Sequence, residues 1–135
     1  MSANLALHDA IFGALAADAT MKTLLGDPVR LYDDPPHDAI FPYAVFGDGT
    51  QSDSSSVTGD MSEHRVLIHV WSRYAGRREV KQIAGRIRTV LHDAPLVLTE
   101  HTLINLRCET IEFSRARDGR AYHALARFRA VTETP

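Results

Sequence analysis

Cysteine is almost missing from this chain: Cys108 is the only one in 135 residues. A single thiol excludes an intramolecular disulfide and a multi-cysteine zinc site. In a strand it reads as a small apolar residue, in keeping with a reducing compartment. An excess of one charge is also lacking. Fifteen Lys and Arg against 17 Asp and Glu leave a net charge of −2, so bulk charge does not mark a dedicated nucleic-acid-binding domain. No stretch approaches the ~20 apolar residues of a membrane span, and no membrane partner is expected. The opening run MSANLALHDAIFGALAAD has no basic n-region, and Asp9 interrupts its apolar residues. It reads as the first helix of the fold and not as a signal peptide.

What is present suits one packed core. The composition is 44% hydrophobic, and the length fits a single domain over residues 1–135. The most informative stretch runs from Trp71 to Leu91. It reads as the end of a strand, a short turn and an amphipathic helix. Val80, Ile83, Ala84, Ile87, Val90 and Leu91 recur on one helical face, and Arg77, Arg78, Lys81 and Arg88 lie opposite.

Around it the chain divides readily. Residues 4–17 predict a helix with Leu5, Ile11, Phe12 and Leu15 on a broad apolar face. Asp18 caps a second short helical turn through Met21, Leu24 and Leu25, which Gly26 and Pro28 end. Val29 to Tyr32 and Tyr43 to Phe46 predict short strands, joined by the proline-rich connector DDPPHDAIFP. Residues 47–62 are dominated by Ser, Asp, Gly and Thr. They predict a flexible acidic loop carrying Asp48, Asp53 and Asp60, with Glu63 at its flank. Glu63 to Ser72 predicts a strand that is partly apolar on both faces, and Leu96 to Leu98 a short one. Asp118-Gly119 is a two-residue hairpin signal. It pairs Arg117 with Arg120, Phe113 with Ala124 and Ile111 with Ala126. Tyr122 and Phe128 then share the helix-facing side, while Cys108, Thr110, Glu112, His123, Leu125, Arg127 and Arg129 face away. The expected architecture is α+β, an antiparallel or mixed sheet with two main helices on one face.

Catalytic signals are weak. The seven histidines include no helical i, i+4 pair with a glutamate, and His64 and His69 fall on opposite faces of one strand. No serine sits in a nucleophile elbow. Gly47, Gly49 and Gly59 are followed by no lysine and open no helix, which argues against a phosphate cradle. Glu109 and Glu112 point to opposite strand faces, and Glu112 lies diagonal to Arg127 and Arg129 as a structural ion pair. No catalytic, cofactor or metal residue is assigned. The basic stripe of the helix has three readings: a solvated face, a docking surface for the acidic loop of a neighbouring copy, or a weak, non-specific phosphate contact inside a ring.

Three runs carry a resemblance: FPYAVFG at residues 41–47, HVWSRYAGRREVKQIAGRIRTVL at 69–91 and RDGRAYHALARFRA at 117–130. Together they resemble the tail terminator (tail completion) proteins of long-tailed phages and gene transfer agents. The resemblance implies an α+β fold and a hexameric ring on the head-proximal end of the tail tube. It implies a homo-oligomer that meets the major tail tube protein and the head connector or stopper protein, with double-stranded DNA passing non-specifically through the lumen. It also implies no enzymatic activity and no cofactor, with assembly in the host cytoplasm and residence in the finished particle at the head–tail junction. On this reading Asp48, Asp53, Asp60, Glu63, Arg77, Arg78, Lys81 and Arg88 are candidates for the subunit or tail-tube interface. The other classes that the residues admit are a small cytoplasmic ferredoxin-like binding or regulatory module and a metal-dependent enzyme using the histidines.

Overall fold

Two polar side chains start the first two helices. Ser2 accepts a hydrogen bond from the amide of Leu5 at 3.1 Å and opens α1, Ala3–Ala17. Asp18 accepts from the amide of Met21 at 2.9 Å and opens α2, Ala19–Leu25. Gly26, at φ 89°, closes α2 where a side chain would be strained. The computed structural model describes residues 1–55 and 59–134. Among them follow β1 (Leu31–Tyr32), β2 (Tyr43–Phe46), β3 (Thr50–Asp53), β4 (Asp60–Ser72), α3 (Arg78–Leu91), β5 (Thr102–Arg115) and β6 (Tyr122–Thr134).

The sheet runs β1-β2-β4-β6-β5, with β3 also paired to β4. Only β1 and β2 are parallel, so the sheet is mixed and the class α+β, as expected. Strands β4 and β6 pair over their whole length, from Asp60↔Thr134 to Ser72↔Tyr122. Ile68 and Val70 of β4 and Ala124, Ala126, Phe128 and Ala130 of β6 are buried under the helices. From α3 come Val80, Ile83, Ala84, Ile87 and Leu91, the stripe that the sequence marks; Val90 is half-buried. Three buried alanines of β6 and the fully buried Phe128 share one core cluster with these α3 side chains.

Several expectations are corrected. In α1 the buried stripe is Ala3, Ala6, Leu7, Ile11 and Leu15, while Leu5 and Phe12 are 49% and 40% exposed. That helix is apolar nearly all round, so periodicity alone does not choose its buried face. Residues 47–62 are not wholly irregular. Thr50–Asp53 pairs with Ser62–Arg65, and β4 begins at Asp60. Backbone ladders form here without apolar side chains, which composition does not reveal. Residues 56–58 of that expected loop lie outside the described residues. Leu96 to Leu98 is no strand: Leu98 is buried and Val97 is 91% exposed. The edge of β5 is instead covered just after α3, where the amide of Asp93 donates to Leu106 O at 2.8 Å and the amide of Cys108 to His92 Nδ1 at 2.9 Å.

The hairpin pairs Phe113 with Ala124 and Ile111 with Ala126, as its turn predicts. The tip is wider than two residues. The Ala116 amide donates to Ala121 O at 2.8 Å and the Gly119 amide to Ala116 O at 2.9 Å, so Arg117 and Arg120 belong to the turn. Further along, β5 carries irregularities between Leu103 and Asn105 and between Cys108 and Thr110. The second inserts Glu109 and reverses the alternation. Cys108 therefore lies opposite Phe128 and packs against the core, not on the outer face. Burial pushes its thiol upward, which suits an inert apolar role. Glu109 and Glu112 consequently reach arginines of the same outer face, where opposite faces were expected.

A candidate assembly surface

The helices cover one side of the sheet. On the other, Tyr43, Val45, Leu67, His69, Trp71, His123 and Leu125 are half-buried by one another, and no described helix lies over them. His69 Nδ1 and His123 Nε2 are 2.7 Å apart, and Trp71 packs on the His123 ring at 4.3 Å. Gly47 permits this packing, because a Cβ there would stand 2.6 Å from His69 Nε2. Burial lowers the pKa of both imidazoles. The charge of Arg127 adds to this at His69 and the neighbouring ring adds to it at His123, against smaller opposite pulls from Asp48 and Glu112.

Arginine–carboxylate pairs border this strip. Arg65 bonds to Glu109 and lies 3.0 Å from Glu63, Arg129 bonds to Glu63 at 3.0 Å, and Arg127 bonds to Glu112 at 3.0 Å. The Glu112 pair is the structural one that its diagonal position predicts. Arg129, and then Arg65, hold the Glu63 carboxyl below its usual range. Glu63 is thus occupied within its own chain.

The remaining candidates separate in space. Asp53 and Asp60 sit where β3 ends and β4 begins. Both are exposed and both engage Ser55, whose amide donates to Asp53 and whose hydroxyl donates to Asp60, each at 2.9 Å. The Ser55 hydrogen bonds lower the Asp53 pKa. Asp48 is exposed on the hollow shared with Arg65, Leu67, Glu109 and Arg127. Arg77, Arg78 and Lys81 are exposed around an open hollow at the start of α3. Arg88 stands at the other end of that helix, near Cys108.

Arginines of the hairpin join the basic group of α3, a neighbourhood that the helical pattern does not disclose. Arg77 and Arg115 both lie over the Tyr122 ring, at 5.2 and 5.6 Å, and Lys81 lies over Phe113 at 5.4 Å. Arg117 and Arg120 are exposed in the adjoining turn. The one local signal for them is the run RARDGR at the hairpin tip. The helical pattern is equally silent on Arg86. It grips Asp18 through two hydrogen bonds of 2.9 and 2.6 Å, tying the α1–α2 corner to α3. That pairing is the main reason the Asp18 pKa is lowered.

Chemistry finds little here. Among the described residues no group of three or more His, Cys, Asp or Glu is placed to hold a metal. His64 and His69 take opposite faces as expected, and His64 is buried with Nε2 2.9 Å from Thr132 Oγ1 and Nδ1 3.4 Å from Asn4 Nδ2. Ser114, His123 and His69 form a row, with Ser114 Oγ 3.3 Å from His123 Nδ1. Its far member is an imidazole where acyl transfer uses a carboxylate, and the row lies on an open sheet face.

The chain matches the family described as Tail completion protein gp17 over residues 9–133. Among solved structures it is similar to a chain of the virion of a native gene transfer agent (GTA) particle. The two are 29% identical, the match covers 94% of each, and the TM-score is 0.86. No curated protein sequence matches the chain.

Proposed function

The chain belongs to the tail completion protein gp17 family, and from that premise we propose that its copies close a hexameric ring on the head-proximal end of a tail tube. At the coarser level it is a structural protein of a phage-like or gene-transfer-agent tail. In the proposal the ring stops tube growth and joins the tube to the head connector or stopper protein. Double-stranded DNA passes through the lumen without sequence-specific contacts. The ring assembles in the host cytoplasm, stays in the finished particle and performs no catalysis.

One observation carries the ring. The outer side of the sheet displays a half-buried aromatic and aliphatic strip that no described helix covers. A solitary copy leaves this strip in water, whereas neighbours in an assembly remove it. The candidate contact residues are Asp48, Asp53, Asp60, Glu63, Arg77, Arg78, Lys81 and Arg88. The test is electron microscopy of particles made without this protein. Overlong or headless tails support the role; normal joined particles overturn it.

A further inference from the structure

The two longest-paired strands separate charge. Their register, from Asp60↔Thr134 to Ser72↔Tyr122, fixes which residues share an end. One end carries Asp53, Asp60 and Glu133, with Gly59 lying against Glu133. The other carries the start of α3 and the tip of the β5–β6 hairpin, where Arg77, Arg78, Lys81, Arg115, Arg117 and Arg120 are exposed. Among the described residues none of these six forms an ion pair, whereas Arg65, Arg86, Arg107, Arg127 and Arg129 all do. The acidic residues at that end, Glu79 and Asp118, accept hydrogen bonds from the Ser72 hydroxyl at 2.6 Å and the Arg120 amide at 2.9 Å, and the six cations outnumber them. The ends are roughly 40 Å apart, at about 3.3 Å per strand residue.

We propose that these ends are the two halves of one head-to-tail contact: the basic end of each copy docks on the acidic end of the next. The proposal rests on the ring reading above and names the seam between adjacent copies, a contact separate from the outer strip. Opposite patches at opposite ends of one molecule are what a heterologous, ring-closing contact requires. Tyr122 and Phe113 lie beneath Arg77, Arg115 and Lys81, so the cations rest on apolar surface that a neighbour also covers. DNA is the less suitable occupant. Several unpaired arginines on every copy of a ring would clamp the phosphates of a duplex whose passage must continue. A permanent neighbour gains from the same strength.

The experiment supplies protein to assembly mixtures that lack it and reads finished particles by electron microscopy. One variant carries Arg77→Glu, Arg78→Glu, Arg117→Glu and Arg120→Glu, giving two acidic ends. The other carries Asp53→Lys with Asp60→Lys, giving two basic ends. Circular dichroism checks that both fold; if the first does not, Arg78→Glu, Lys81→Glu, Arg117→Glu and Arg120→Glu replace it and spare the two arginines over Tyr122. Each variant alone is expected to lower the yield at least about tenfold, since like charges meet at every seam. Mixed in equal amounts they alternate around the ring, and the yield returns. Full activity of either variant alone overturns the seam and leaves the ring reading standing. Failure of the mixture to recover overturns it in favour of another occupant of the basic end, DNA included. Failure of the unaltered protein to restore joined tails removes the ring reading and the seam with it.

Discussion

The two faces of the sheet share the same strands and differ in nearly everything else. On the inner face Ile68, Val70, Ala124, Ala126, Phe128 and Ala130 are closed over by α3 and α1. On the outer face Leu67, His69, Trp71, His123 and Leu125 stay half-buried, bordered by arginine–carboxylate pairs. The inner face is finished within one chain. The outer face pairs its charges internally and keeps an apolar strip that no described helix covers. Strand alternation along a single backbone thus divides the residues of the core from those of the uncovered strip.

Mutations sharpen that division. The largest effect is expected at the inner face, where Phe128→Ala costs ~3–5 kcal/mol and Ile83→Ala or Ile87→Ala ~2–5 kcal/mol through an unfilled cavity. Denaturant unfolding measures this. A midpoint that barely moved would mean that α3 does not pack as described. Next comes the corner that carries α2: Asp18→Ala is expected to cost about 1–2 kcal/mol through the missing cap, and it also leaves Arg86 without its carboxylate. On the outer face Leu125→Ser should cost only about 1 kcal/mol, half the burial of a core leucine. If it destabilised as much as Ile87→Ala, the comparison between the faces would break.

Acidification tests both faces together. His64 on the inner side and His69 and His123 on the outer all have lowered pKa values, chiefly through burial. A depressed imidazole stays neutral in the fold while the unfolded chain protonates near about 6.5. Stability is therefore full above that pH and falls as pH drops through the folded values. Thermal melts across this range should show the decline, and His64→Gln should flatten it. An undiminished slope in that variant would place the whole effect on the outer pair. The smallest stability change is expected for glutamate at Arg77, Arg78 and Lys81 together, less than ~0.5 kcal/mol for each exposed site, with assembly abolished nonetheless. Normal particles from that triple variant would remove these side chains from any interface.

Much of the architecture was legible because local signals sufficed. The stripe from Val80 to Leu91 buries one face of α3, and Asp18, Gly26 and Pro28 bound α2. The Asp118-Gly119 turn set the pairing of Phe113 and Ile111. Other features had no local signal. Leu5 and Phe12 are as apolar as Leu7 and Leu15, and only the sheet chose between them. Polar Thr50–Asp53 became a strand because β4 offered it a backbone edge. For the assembly surface, Arg77, Arg78 and Lys81 could be read from a helical wheel. Arg115 is distant in sequence and meets Arg77 only across Tyr122, and Arg117 and Arg120 follow it in the adjoining turn.

The sequence by itself determined the segments, the face of α3, the near-neutral charge and the family resemblance, all of which reside in neighbouring residues or ordered motifs. The tertiary structure decided direction. One inserted residue at Glu109 turned Cys108 to the core, and the β4–β6 register sent the acidic and basic groups to opposite ends. The physical reason is that backbone ladders are nearly indifferent to side-chain identity. Register is settled by packing over the whole sheet, and alternation then carries a single-residue shift to every side chain beyond it.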